Sequence, residues 1–199
     1  MPLKVAVVVG HSSAGKGAVS VSGVQEYDWN TVFSVSLCDE LRALGVEVVT
    51  YDRPTTGYTS AMMSLARKIN AGNPSCAIEL HFDGGLPEWH GASALHWPGS
   101  TASEALADRV AAAAAKASGV RNRGAIAQSK SNSELPLFFL KSTKCPAVIL
   151  ESHFGSNAED HFLATIARDD GSLAREIARA VVEWSHDWRR ADGRVETPA

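Results

Sequence analysis

Cysteine is scarce in this 199-residue sequence, and Cys38, Cys76 and Cys145 are odd in number and widely spaced. That excludes a disulfide framework and a CxxC metal knuckle, and leaves ordinary buried thiols. Long apolar runs are also missing. No segment approaches the roughly 20 consecutive apolar residues of a membrane span, so none is expected. Near the N-terminus Lys4 is followed only by the short run Val5 to Val9, with no small-residue cleavage site after it. The run reads as a buried strand, and no recognisable signal peptide is expected. There is no basic excess either: charged residues make up 21% and the formal net charge is -3. The electrostatic footprint of a nucleic-acid binder is thereby excluded, and a small or neutral polymeric substrate fits better. Internal repeats and Pro-, Gly- or Ser-rich linkers are lacking, which points to one domain over residues 1–188 followed by a polar tail, 189–199. What is present is apolar material, 45% of the residues, enough for one sizeable core.

The order of elements can be read from periodicity. Val5 to Val9 ends at Gly10 and has the unbroken valine pattern of a strand covered on both faces. From Glu26 to Leu44 the residues Val32, Phe33, Val35, Leu37, Leu41 and Leu44 recur at helical spacing, with Gly45 as the stop. Val46 to Tyr51 is expected as a second strand, Ser60 to Ile69 as a helix, and Cys76 to Phe82 as a third strand before the turn Asp83, Gly84, Gly85. Ala92 to Trp97 is expected as a fourth strand, and the alanine-rich stretch Ala102 to Ala117 as a helix. The apolar run Ala147 to Leu150 follows Pro146, and Glu159 to Ile166 and Leu173 to Trp188 complete the helices. Strands alternating with helices imply an α/β fold: a single domain with a mixed, mostly parallel sheet of about six strands and helices on both faces.

In such sheets ligands bind beyond the carboxyl ends of the strands. His11 follows the first strand, His81 ends the third, and Glu151 closes the run Ala147 to Leu150. A catalytic zinc takes three His or carboxylate ligands and keeps a place for water, and Glu26, at the start of the first helix, offers the carboxylate. Asn30, one turn later, is placed to orient it. Glu151 is then the candidate to take a proton from water and deliver it to a leaving nitrogen. Each residue also has a plainer reading. His81 could be a satisfied histidine at a strand end, Glu26 a carboxylate favoured by the helix dipole, and Glu151 a buried carboxylate paired with an arginine. No compact motif such as HExxH is present.

A competing pattern runs through the same loop, because Gly10, Gly15 and Lys16 reproduce GxxxxGK directly after a strand. A phosphate loop needs Ser or Thr next, where this chain has Gly17, and a helix starting there, where Ser20, Ser22 and Gly23 read as loop. A serine hydrolase is disfavoured because Ser12 and Ser13 are not framed as GxSxG.

The segments VVVGHSSAGKGAV at 7–19, QEYDWN at 25–30, IELHFDGG at 78–85, RNRG at 121–124 and PAVILESHFGSNAED at 146–160 resemble, in order and spacing, the type 3 N-acetylmuramoyl-L-alanine amidases of bacterial cell-wall remodelling and phage endolysins. The resemblance runs from about Val5 to about Trp184. It implies Zn2+ held by His11, Glu26 and His81, with Glu151 as the catalytic glutamate. It also implies hydrolysis of the amide between N-acetylmuramic acid and L-alanine of peptidoglycan. A non-catalytic relative that binds the wall is the alternative, against which the intact His, Glu, His and Glu set argues. A lone domain of this kind is expected to act as a monomeric endolysin that meets the wall after release from the cytoplasm. The chain departs from the family's usual GHGG loop with Ser12, Ser13, Ala14, Gly15 and Lys16, and it has Glu79 and Asp83 where many relatives have Ser and Asn. Asp83 reads as an exposed turn residue, and Arg121 and Arg123 read as surface ion-pairing groups. His153 would share a strand face with Glu151 if the strand continues, and reads as an outer or surface residue rather than a ligand.

Overall fold

The computed structural model describes residues 2–131 and 137–191, with 189–191 as backbone only. Along it run β1 (Lys4–Val9), α1 (Glu26–Ala43), β2 (Glu47–Tyr51), α2 (Tyr58–Gly72), β3 (Cys76–Asp83), β4 (Ala92–His96), α3 (Thr101–Ser118), β5 (Asn122–Ala127), α4 (Phe138–Ser142), β6 (Ala147–Phe154), α5 (Ala158–Asp169) and α6 (Ser172–Ala191). The strands form one six-stranded sheet in the order β2-β1-β3-β6-β4-β5. β1 pairs in parallel with β2 and β3, and β3 with β6, whereas β4 runs antiparallel to β6 and parallel to β5. The chain is thus a single α/β domain with the mixed sheet that its alternating pattern implies.

Both faces of the sheet are covered, which is why β1 reads as continuous valine rather than as an alternation. On one face Val5, Val7, Ile78, Leu80, Val148 and Leu150 pack beneath α1, α3, α5 and α6, with Phe33, Leu106 and Val181 among the residues that complete the core. On the other, Ala6, Val8, Ala77 and Ile149 meet Met62, Leu65 and Ile69 of α2 and Phe139 and Leu140 of α4. Side chains tie the ends of the elements together. Ser103 Oγ accepts from Ala147 N (3.1 Å), fastening α3 to the start of β6. Asn157 caps α5 by accepting from Glu159 N and Asp160 N. Asp160 Oδ2 in turn accepts from Gly91 N and Phe154 N.

The structure departs from the sequence expectation in a few places. β5 and α4 carry no periodic signal: β5 is an edge strand with no fully buried residue, and α4 has only 5 residues. Cys38 and Cys76 are buried as expected, whereas Cys145 is half-buried. α6 continues past Trp188 to Ala191, and residues 192–199 of the expected tail lie outside the described residues. Among the described residues no helix is long and apolar enough to cross a membrane.

Phe33 is fully buried at the centre of the larger core on α1. Phe33→Ala is expected to cost about 3–5 kcal/mol of unfolding free energy, the range for emptying a buried aromatic site. Urea denaturation checks this, and a loss below about 1 kcal/mol would mean that α1 is not held by this contact.

Candidate active site

The candidate residues meet where β1, β3 and β6, neighbours in the sheet, come to an end. Gly10 N donates to Leu80 O (2.9 Å) and so aligns the ends of β1 and β3. A side chain cannot replace this glycine, because a Cβ there would run into the His81 ring. His11 follows with φ 65°, in the left-handed region that few residues other than glycine adopt without strain. The strained residue brings Nε2 to 3.0 Å from Glu26 Oε2.

The loop beyond His11 is shaped around Glu26. Ser12 and Gly15 exchange backbone hydrogen bonds (3.2 and 3.1 Å), which reverses the chain. Gly17, at φ 77°, sits where a Cβ would meet both the Glu26 carboxylate and the His11 ring. Ala18 then clasps Glu26 twice: its carbonyl accepts from Glu26 N (2.9 Å), and its N–H donates to Oε2 (3.0 Å). Lys16, the residue that would reach a phosphate in a nucleotide site, pairs with Asp28 at 2.9 Å. No helix begins beside it, since α1 starts only at Glu26. The GxxxxGK pattern is therefore a coincidence of composition.

Glu26 is 3% exposed, and both of its oxygens are occupied. Oε2 accepts from His11 Nε2 and Ala18 N, while Oε1 accepts from His81 Nδ1 (2.7 Å) and Phe82 N (3.3 Å). Burial works to raise its pKa, but the hydrogen bonds from His11 and His81 outweigh burial and hold the carboxyl well below its usual range. His81 shows the converse. Burial pulls the imidazole down, yet its bonds to Glu26 and Glu79 raise it well above the ordinary histidine value. Asn30 does not orient the Glu26 carboxylate as its spacing suggested; its Nδ2 donates instead to the Glu26 backbone carbonyl (3.1 Å). The backbone N–H groups of Ala18 and Phe82 do that work, and main-chain donors leave no mark in a sequence.

Glu151 lies beside His81 in the β3–β6 pairing and opposite Ser93 of β4. Its Oε2 is sealed from solvent and has no hydrogen-bond partner among the described residues. Burial raises its pKa to about 8; the facing His81 opposes that rise, and Glu26, Asp83 and Glu79 reinforce it. An arginine partner is thus not what surrounds this carboxyl. Glu79 is 3% exposed, with Oε2 at 3.6 Å from His81 Nε2. Asp83 is half-buried rather than an exposed turn residue, and Arg123 pairs with it (3.2 Å) while lying 4.8 Å over the Phe154 ring. Arg121 is exposed, and its backbone carbonyl accepts from Ala92 N.

His153 corrects the sequence reading. β6 does continue to Phe154, but its register against β3 shifts between His81 and Asp83, so that β6 holds one more residue than β3 over this stretch. That bulge turns His153 to the opposite face, fully buried against Trp29 and Phe82. There Ser152 Oγ meets His153 Nδ1, His153 Nε2 meets His161 Nδ1 (3.0 Å), and His161 Nε2 meets Ser22 Oγ (2.8 Å). A sequence read at strict alternation has no signal for such a bulge.

One ligand atom each from His11, Glu26 and His81 lies within 4.8 Å of the others. Two imidazoles and a carboxylate are the donor set of a zinc centre that keeps a coordination position open. Glu79 Oε1 and Glu151 Oε2 beside this group are buried acceptors without a partner among the described residues, and a divalent cation would offset the cost of burying such oxygens. The residues fit the metal.

An α/β sheet edge that gathers such a donor set, with a carboxyl oxygen unpartnered among the described residues beside it, is an arrangement that hydrolytic metal centres use. The chain belongs to the N-acetylmuramoyl-L-alanine amidase family, whose model matches residues 5–183. No curated protein sequence matches. The N-acetylmuramoyl-L-alanine amidase from Clostridium difficile 630 shares the fold with a TM-score of 0.79 at 20% identity, over 93% of this chain and 97% of that one. The catalytic domain of the CD27L endolysin targeting Clostridia difficile aligns with a TM-score of 0.73 at 26% identity, over 93% and 97%. Cwp6 from Clostridium difficile has a TM-score of 0.79 at 19% identity over 92% of this chain, which spans 29% of the Cwp6 chain.

The raised Glu151 pKa has a consequence for stability. Between the ordinary carboxyl value of 4.5 and about 8, the folded protein keeps a proton on Glu151 that the unfolded chain has released. Folding is therefore weakened progressively as pH rises through that window. In the metal-free protein Glu151→Gln removes this penalty, so its melting temperature relative to wild type should be higher at pH 8 than at pH 4. Thermal unfolding at both pH values checks this; a difference independent of pH would show that burial does not act on this carboxyl.

Proposed function

We propose that the chain is a zinc-dependent amidase that cleaves the bond between N-acetylmuramic acid and L-alanine in peptidoglycan, with His11, Glu26 and His81 as metal ligands and Glu151 as acid/base. The observation that carries this reading is the meeting of those ligands with an unpaired carboxyl on the adjacent strand. Family membership supplies the substrate class.

When bound, zinc supplies Lewis acidity toward a carbonyl and toward water. The protein's own residues do the rest. Glu26 and the loop from Gly10 to Ala18 hold the ligand group in place before substrate arrives. Glu151, at the same edge, takes a proton from the attacking water as its oxygen bonds to the lactyl carbonyl carbon. It then gives the proton to the L-alanine nitrogen as the C–N bond breaks, leaving a carboxylic acid and a free amine. Burial raises its pKa to about 8 in the metal-free protein, and a divalent cation at the ligand group would lower it toward neutrality, where a carboxyl can accept and return a proton.

The biological reading is a phage or prophage endolysin, acting on the wall as a monomeric catalytic unit over residues 1–188 once released from the cytoplasm. The likeness to the CD27L endolysin domain supports it.

Purified, zinc-loaded protein incubated with peptidoglycan should release stem peptides beginning in L-alanine, detected by mass spectrometry and lost on chelation. Cuts in the glycan strand or inside the peptide would overturn the reading. Glu151→Gln should lose turnover by at least about a hundredfold while still binding zinc, whereas His81→Ala should lose the zinc itself.

A further inference from the structure

His81 has a carboxylate at each ring nitrogen. Nδ1 lies 2.7 Å from Glu26 Oε1, on the side where His11 Nε2 also reaches Glu26. Nε2 lies instead 3.6 Å from Glu79 Oε2. Nδ1 therefore lies within the ligand group, and were a metal to take the place of its proton, Nε2 would be the nitrogen left to carry one. Glu79 is two residues before His81 on β3 and shares its face of the sheet. In the strand pairing its neighbours are Val8 of β1 and Ile149 of β6, whose side chains are apolar. It is 97% buried, since its exposure is 3%, and Oε1 has no hydrogen-bond partner among the described residues. A carboxylate buried among apolar strands is costly unless a donor or cation faces it, and the His81 ring is the group its other oxygen faces.

We propose that Glu79 is a positioning residue, accepting the Nε2–H of His81 while Nδ1 binds the metal. The contact fixes the tautomer and the orientation of the ring and makes Nδ1 a stronger donor. At 3.6 Å it is an ion-pair contact, longer than a hydrogen bond, and on this proposal it shortens to one when Nε2 carries the proton. The inference deepens the zinc reading proposed above and rests on it.

The test uses the full chain labelled with 15N-histidine and loaded with Zn2+. Long-range 1H–15N spectra identify the protonated nitrogen of His81, and competition with a chromophoric chelator gives zinc affinity. Wild type should show His81 protonated at Nε2, with a far-downfield Nε2–H proton. Glu79→Gln should move that proton upfield and weaken zinc binding by about tenfold or more, and Glu79→Asp should recover part of both. A His81 protonated at Nδ1 would overturn the proposal from wild type alone, even if the variants did not fold. So would a Glu79→Gln protein with unchanged proton shift and zinc affinity. Wild type that binds no zinc would instead overturn the metal reading itself, and this inference with it.

Discussion

The Glu26 carboxylate is the interaction on which the site depends. Its oxygens gather His11 and Ala18 from the first loop and His81 and Phe82 from β3, while its own backbone begins α1. Segments far apart in the chain are thereby fixed to one side chain. Burying a carboxylate is costly unless donors meet its lone pairs, so the same donors that offset the burial of Glu26 also fix its direction. Chemistry and fold are joined at this point. The group that would hold a cation is, as the side chains stand, held by the ring nitrogens it would share that cation with.

Around this hub the loop from Gly10 to Ala18 pays in strain for proximity. His11 sits at positive φ, and Gly10 and Gly17 lie where no β-carbon fits. Backbone of that kind is kept where a precise approach of main chain to side chain matters more than local comfort. It also explains why a phosphate-loop pattern appears without its function. Glycines serve close approach in either setting, but here the approach is to Glu26 and His11, and Lys16 is engaged by Asp28.

Much of this was legible in the sequence because burial imposes periodicity. The valine run of β1 and the alanines of α3 announce their elements, as do Phe33, Leu37 and Leu41 on α1, although Val32, Val35 and Leu44 of the same expected stripe are exposed; the rule that chemistry gathers beyond strand ends selected His11, His81 and Glu151. What was not legible falls into physical classes. β5 is an edge strand with no buried face to pattern it, and α4, little more than one turn long, is too short for a helical period to repeat. The clasp on Glu26 comes from backbone N–H groups of Ala18 and Phe82, which every residue but proline carries. Asn30 was misplaced because helical spacing puts it near Glu26 without saying which oxygen it meets. His153 was misplaced because strict alternation assumes an unbroken register, and the bulge in β6 breaks it.

The reversed direction of β4 and β5 divides labour along the site's edge. The proposed ligands and the proposed acid/base hang from the ends or the following helix of β1, β3 and β6, which run one way. The antiparallel pair brings its beginnings to the same edge, so that Arg123 of β5 reaches Asp83 at the end of β3. The rim beside the candidate site is therefore built by segments entering strands that carry none of the proposed reacting groups. Such an arrangement uncouples grip from chemistry: a substitution in the entry turns into β4 and β5 would alter the rim without moving the side chains of the candidate site.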